Sequence, residues 1–397
     1  MQNWKPVFEV ARVFLKIGCL AFGGPIAAFA MMEDELVKKR AWVSQTRFLE
    51  IVAIGKLLPG PIATEVAIFL GRDRAGNWGG LFAGVCFILP AFLLVLAASI
   101  AYVHFGGVPQ NLPFFQGLQV GALVAIAVSV FSLGAPFWKR PRMWVVAALA
   151  GVVVFSHPLW EPLVIIFLGV AGVAFSELKS AGIGGSGGGP RKMPAFFVLG
   201  GLTSGAALPL VLPTLGALLW VCFKGGAFLF GSGLAIVPML EAEVVQRFHW
   251  LTHSEFLDGI AIGQLTPGPL LMTVTFVGYK VAGLAGACLA TFGIFFPAFV
   301  LVLGILPLVS RWLSAGVGAR RAAEFSQWTI YAVLGAIFSA TLTLGRITLV
   351  TPALGWSFAL TFVLGFLFSF RRRVLPVWSL LPIAGAVAVV LSWGLGG

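Results

Sequence analysis

The chain has 397 residues, of which 59% are hydrophobic and only 10% charged, and its mean hydropathy is +1.01. That balance excludes a soluble globule and points to a lipid bilayer. The net charge of +12 would suit nucleic acid, but the basic residues are scattered through short loops, where membrane topology accounts for most of them and where they raise the local anion concentration.

A helix crossing about 30 Å of hydrocarbon needs roughly 20 apolar residues, and a chain without alternating strand patterns satisfies its backbone in lipid only as helices. The expected fold is all-α, a polytopic transmembrane helical bundle. Apolar runs predict spans over 7–30, 48–70, 79–104, 112–135, 143–157 and 159–177, and then over 194–213, 215–240, 256–278, 283–309, 324–345, 352–370 and 374–395. The first run carries Glu9, Arg12 and Lys16 without a small-residue cleavage site, so it reads as a retained span and not as a signal peptide. Ser180 to Gly189, followed by Pro190, Arg191 and Lys192, reads as a flexible linker. It gives two domains, 1–179 and 194–397, joined by 180–193.

The two halves repeat. Phe22, Gly23, Gly24 and Pro25, then Glu33, Glu35, Trp42, Phe48 and Pro59-Gly60-Pro61, return about 208 residues later as Phe230, Gly231, Ser232 and Gly233, then Glu241, Glu243, Trp250, Phe256 and Pro267-Gly268-Pro269. After one gap Gly71 aligns with Gly278, Gly76 with Gly283, and Pro90-Ala91-Phe92 with Pro297-Ala298-Phe299; upstream, Lys16 matches Lys224. A register of this length marks duplication. By span count the copies start seven crossings apart, so the second is expected to run inverted, as in many secondary transporters.

With the N-terminus inside, Arg72 and Arg74, then Lys139, Arg140 and Arg142, then Lys179, Arg191 and Lys192, then Arg311, Arg320 and Arg321, then Arg371, Arg372 and Arg373 fall in inside loops. Lys38, Lys39, Arg40 and Arg47 fall on the other face by this count. Their position leaves two readings of the segment around Phe22: it crosses, or it dips in and returns.

Two prolines around a glycine break a helix. The amides freed at the start of the following half-helix carry partial positive charge and form a candidate anion site. Thr64 and Thr273 follow the two breaks and Thr266 precedes one, adding hydroxyls. The competing reading is a packing kink, and recurrence at matched positions favours the ligand.

Lys16 and Lys224 lie in apolar runs, where an ammonium costs several kcal/mol unless paired. Across a pseudo-twofold axis the two lysines could flank one anion, with Lys56, matched by Gln264, as a third candidate. Alternatively each snorkels to an interface or pairs with an acid such as Glu65 or Glu50. Glu33, Glu35, Glu241 and Glu243 read as interfacial caps and ion pairs, or as gating and coupling groups. Glu65 is replaced by Thr273 in the second copy, which suits an asymmetric coupling step.

Cys19, Cys86, Cys222 and Cys288 lie apart in apolar runs and read as buried small residues. His249 and His253 are one helical turn apart, with no further ligand pattern. There is no phosphate-binding loop, zinc-protease motif or nucleophile elbow, so no enzyme, cofactor or resident metal is expected.

The run from Phe22-Gly23-Gly24-Pro25 through Glu33 to Trp42, Leu57-Leu58-Pro59-Gly60-Pro61, Gly71 and Phe87-Ile88-Leu89-Pro90 resembles the chromate ion transporter family, in its long two-domain form. The resemblance covers about 10–100 and 218–305. It implies efflux of chromate across the bacterial inner membrane, antiparallel halves and chromate resistance as phenotype. The expected partners are a chromate- or sulfate-like oxyanion and the lipid bilayer, with a homodimer possible and no nucleic acid. The second copy departs at Ser232 and Gly233, where the first has Gly24 and Pro25, so the halves are expected to contribute different ligands.

Overall fold

The computed structural model describes residues 4–22, 24–104, 113–181, 214–231, 233–307, 316–349, 352–370 and 380–394. The expected span 194–213 and all but the first two residues of the 180–193 linker lie outside them. Among the described residues the regular elements are helical. The first half holds α1 (Lys5–Leu20), α2 (Gly24–Met32, running into a π-helical turn at Glu33–Lys39), α3 (Gln45–Gly55), α4 (Ile62–His104), α5 (Pro113–Gly134), α6 (Pro141–Ser156) and α7 (Glu161–Ala181). The second holds α8 (Thr214–Ala227), α9 (Val237–Glu241, with a 3-10 turn at Gly233–Ile236 before it and a π-helical turn at Ala242–Arg247 after it), α10 (His253–Leu265), α11 (Thr273–Phe299), α12 (Gly316–Thr348), α13 (Pro352–Phe370) and α14 (Leu380–Gly394). Ile62–His104, Gln116–Phe137, Pro158–Leu178, Leu270–Ile305 and Arg320–Thr348 are long and apolar enough to cross a membrane. The fold is an all-α membrane bundle.

A straight helix of 43 residues would be about 65 Å long, twice the hydrocarbon thickness. In α4 the chain leaves helical geometry at Ala75 and Gly76 (φ +66°) and doubles back. A Cβ on Gly71 would sit 2.5 Å from the carbonyl oxygen of Gly79, so the two limbs, 62–74 and 77–104, meet backbone to backbone. Ala282 and Gly283 (φ +59°) divide α11 in the same way, with Gly278 against Gly286.

The Pro-Gly-Pro breaks also reverse the chain. Arg47 at the start of α3 pairs with Asp73 at the end of the 62–74 limb, 3.0 Å apart; laid end to end, the 26 intervening steps would separate them by about 39 Å. α3 and the first limb of α4 therefore form a hairpin with Pro59-Gly60-Pro61 at its tip. The expected crossing over 48–70 is corrected: two prolines and a glycine remove enough helical bonds for the chain to turn round. Glu9 and Arg40 approach to 3.3 Å, so α1 and α2 fold back about Ala21–Gly24, and 7–30 is corrected likewise. In the second copy Lys280 pairs with Glu255 at 2.8 Å and Lys224 with Glu243, which turns 256–278 and 215–240 into the corresponding hairpins. The first hairpins explain the misplaced basic residues. Lys38, Lys39, Arg40 and Arg47 lie at the same end as Arg74, which itself pairs with Glu9 at 3.3 Å, because the Phe22 segment returns.

The 77–104 limb relates the two copies. At its start the Trp78 ring lies 5.9 Å from that of Trp4, beside the base of the first-copy hairpins. At its far end, about 36 Å away, Tyr102 Oη donates to Asp258 Oδ2 of α10 at 2.7 Å, at the base of a second-copy hairpin. This limb thus runs from the first-copy hairpins to a second-copy hairpin. Asp258 also accepts from Gln119 Nε2 of α5 at 2.9 Å. Tyr102→Phe removes one of its two donors and is expected to cost about 1.5 kcal/mol, read as a lower Tm in detergent; an unchanged Tm would show that this bond does not hold the hairpin.

The remaining helices cross-pack between halves. α13 and α14 lie along α5, and α6 and α7 lie along α12. Glycines allow the close approach: Gly121 abuts the backbone of Leu381, and Gly151 that of Gly335. α5 is buried continuously from Val120 to Val128, which makes it a central post beside the hairpins.

Candidate functional site

The two Pro-Gly-Pro tips are joined by a reciprocal exchange. Gly60 N donates to Leu229 O, in the break after α8, at 2.7 Å; Gly268 N donates to Ala21 O, in the break after α1, at 3.0 Å. Gly60 and Gly268, and likewise Ala21 and Leu229, are equivalent positions 208 residues apart. Each repeat thus closes the tip of the other. The geometry needs glycine, at φ +140° for Gly60 and +96° for Gly268.

Between the tips lies a cavity of about 20 Å³ walled by Gly24, Pro25, Gly60, Pro61, Ile62, Ala63, Thr64, Leu229, Gly231, Gly233, Gly268, Pro269, Leu270 and Leu271. Four helix beginnings converge on it: α2 at Gly24, α4 at Ile62, the 3-10 turn at Gly233 and the 3-10 turn Leu270–Met272 that leads into α11. First-turn amides lack intrahelical partners and carry partial positive charge, so an anion is the ligand this arrangement suits. At this volume the cavity holds about one water. A tetrahedral oxyanion requires the tips to part.

The buried polar side chains at the tips have unused capacity. Thr64 Oγ1, both Glu65 oxygens, and Gln264 Nε2 and Oε1 are buried without hydrogen-bond partners among the described residues. Glu65, 1% exposed, packs so closely under the tip that a Cβ on Gly60 would collide with its Oε1.

The family model for chromate transporters matches residues 8–173 and 216–390. The chain belongs to the chromate transporter family. It is 33% identical over 358 residues to the chromate transport protein of Cupriavidus metallidurans, covering 86% of this chain and 83% of that protein. It is 30% identical over 409 residues to the chromate transport protein of Pseudomonas aeruginosa, covering 97% and 90%. The probable chromate transport protein of Synechococcus elongatus is 32% identical over 349 residues, covering 85% and 84%. No solved structure matches. Membership makes this a multi-pass membrane transport protein and not an enzyme.

In this chromate transporter family member the expected ligands divide into those at the cavity and those held elsewhere. Gly24, Pro25, Gly60, Pro61, Thr64, Gly231, Gly233, Gly268 and Pro269 line it. Pro59, Pro267 and Thr273 belong to the tips without lining it, and Thr266 Oγ1 donates to Gly263 O at 2.9 Å. Gly23 and Ser232 lie outside the described residues. Phe22 is exposed, and Phe230 is buried with its ring 5.8 Å from Phe325. Lys56 caps α3 with its side chain exposed, and its carbonyl accepts from Ser326 Oγ at 3.1 Å.

Lys16 and Lys224 do not reach the cavity. Lys16 Nζ is 2.5 Å from Glu35 Oε1 and Lys224 Nζ is held by Glu243 Oε1; of the alternatives read from sequence, pairing with an acid is the one seen, with partners other than Glu65 or Glu50. Glu33 meets Lys38 at 3.5 Å. Glu241 accepts from Gln246 Nε2 at 2.7 Å, and His253 Nδ1 lies 3.0 Å from its other oxygen. The lysine–glutamate partnership had a readable signal: both pairs are 19 residues apart. The reciprocal amide bonds between copies had none, because backbone groups leave no trace in residue type.

Proposed function

We propose that the protein exports chromate, a tetrahedral dianion, across the bacterial inner membrane by alternating access, and so gives chromate resistance. The observation that carries this reading is the convergence of four helix beginnings, two from each repeat, on one cavity between the two tips. This supports an inverted repeat in which either pair of hairpins can withdraw and open the cavity to its own side. The anion is held by first-turn amides, by Thr64 and by Gln264 once the Gly60–Leu229 and Gly268–Ala21 bonds give way. Lys16 and Lys224 hold the hairpins to their π-helical turns and add positive potential from behind. Glu65, beneath one tip only, is the coupling or gating group, with Glu33 and Glu241 at the hairpin bases. The relatives named as chromate transport proteins supply the substrate.

The membrane potential suffices to drive export. Moving one charge through 100 mV is worth about 2.3 kcal/mol, so a dianion leaving an inside-negative cell gains about 4.6 kcal/mol. The test is uptake of radiolabelled chromate into everted membrane vesicles made with and without the chain, under an imposed inside-positive potential and with sulfate as competitor. Accumulation that depends on the chain and on the potential is expected. Sulfate flux without chromate flux would keep the architecture and overturn the substrate; very high flux without countertransport would make it a channel.

A further inference from the structure

Glu161 opens α7 and is 1% exposed, and no step of the oxyanion path uses it. An acid in the first turn of a helix is ordinarily explained by the amides there, yet Glu161 Oε2 is buried without a hydrogen-bond partner among the described residues. It lines a cavity of about 10 Å³ with Pro162, Ile165, Gly225, Phe228, Leu229 and Met239 among its walls. Leu229 is common to this cavity and to the one between the tips, and it is the residue whose carbonyl receives Gly60 N. Glu161 thus shares a wall residue with the oxyanion site, on a helix that packs along α12 and meets the second-copy hairpin at this cavity.

No charged or titratable group on the neighbouring elements pairs with Glu161 among the described residues. Lys224 of α8 and Arg247 beyond α9 are both taken by Glu243; Glu241 accepts from Gln246 through one oxygen, and its other oxygen, 3.0 Å from His253 Nδ1, has no hydrogen-bond partner among the described residues. His157, before α7, stacks on Trp160. On α12, Tyr331 accepts from Gln327 and Arg346 lies over Phe155. A charge on Glu161 therefore has no fixed partner among the described residues, and since the other walls carry apolar side chains or none, a bare metal cation would find too few oxygen ligands here, which leaves a proton as the ion the site suits.

We propose that Glu161 is a proton-binding site linked to the oxyanion site across Leu229, so that a proton and the anion favour each other's binding. The proposal rests on the oxyanion reading. A dianion at the tips repels negative charge on Glu161, so its binding promotes protonation there, and by linkage protonation promotes anion binding by the same factor. Anion affinity falls as pH rises through the range in which Glu161 loses its proton, by up to about tenfold per pH unit for one linked proton.

The experiment is binding of radiolabelled sulfate, a dianion throughout the range used, and of chromate above neutrality, to the purified chain in nanodiscs across pH. Wild type is expected to show the slope, Glu161→Gln to keep the low-pH affinity with a flat profile, and Glu161→Asp to restore a slope. An unchanged slope in Glu161→Gln overturns the linkage. In parallel, low-pH minus high-pH infrared difference spectra of Glu65→Gln and of the Glu65→Gln, Glu161→Gln pair report protonation of the carboxyl without any anion. Loss of a protonated-carboxyl band in the double variant is expected, and identical spectra overturn the proton site itself. A wild type that binds neither oxyanion while the infrared band is present overturns the oxyanion reading and the linkage, leaving a titrating Glu161.

Discussion

Gly60→Ala removes most of the oxyanion uptake, whereas Gly76→Ala leaves most of it. Both glycines have positive φ, at +140° and +66°, so a comparison between them separates backbone strain from the function of the tip. A Cβ on Gly76 would meet nothing within 4 Å, and alanine there carries only backbone strain, about 1–3 kcal/mol for a conformation (φ +66°, ψ −162°) that essentially only glycine adopts. At Gly60 the conformation lies outside what alanine tolerates, and the new methyl meets the Glu65 carboxyl. Relief of that collision rotates the tip and breaks the 2.7 Å bond to Leu229 O, or displaces Glu65 from beneath it. The expected result is normal membrane insertion with at least roughly tenfold less uptake in everted vesicles, the factor that about 1.4 kcal/mol of lost tip geometry would give. Gly268→Ala is expected to be milder, since its Cβ would be crowded only by the Ala91 methyl, at 3.0 Å, with Gly18 O and Phe87 O at an ordinary 3.8 Å. Wild-type uptake by Gly60→Ala would remove the tip from the transport path.

The same pair of glycines indicates what sequence could reveal. Composition was enough for an all-α membrane bundle, and the Trp, Glu and Pro-Gly-Pro register was enough for the duplication. Hairpins were not separable from crossings, because hydropathy over 48–70 or 256–278 is the same whether the chain continues or turns; the discriminating facts are Arg47 beside Asp73 and Lys280 beside Glu255, contacts between residues far apart in the chain. The basic residues at Lys38–Arg40 did carry the information, as an exception to the charge rule that a returning segment removes. The cavity was legible as far as its prolines, glycines and Thr64, since each is needed locally for a break or a helix start. Glu161 was not, because one acid at a helix start is ordinary until its surroundings are known.

Lys224→Met destabilises the protein by about 3 kcal/mol, while Lys16→Met costs no more than about 1 kcal/mol. The two lysines are equivalent in the repeat, and burial separates them. Lys16 has 53% of its side chain exposed and Lys224 only 9%. An exposed pair gains little beyond its solvation, whereas removing one partner of a buried pair strands the other charge, at a cost of about 3–5 kcal/mol. The lower end applies here because Arg247 Nη1 stays 3.2 Å from Glu243 Oε2. Removing both buried charges, in Lys224→Met with Glu243→Gln, leaves only the part-exposed Arg247 without its partner and is expected to recover most of the stability. The double variant then decides what the lysine is for. If Lys224 holds the hairpin, uptake returns together with Tm, and this is the expected result. If it is a direct ligand of the anion, Tm returns and uptake does not, since no repair of the pair can replace an ammonium at the substrate. A Tm that stays low in the double variant would mean that the pair's geometry, and not its charge balance, holds α8 against the π-helical turn.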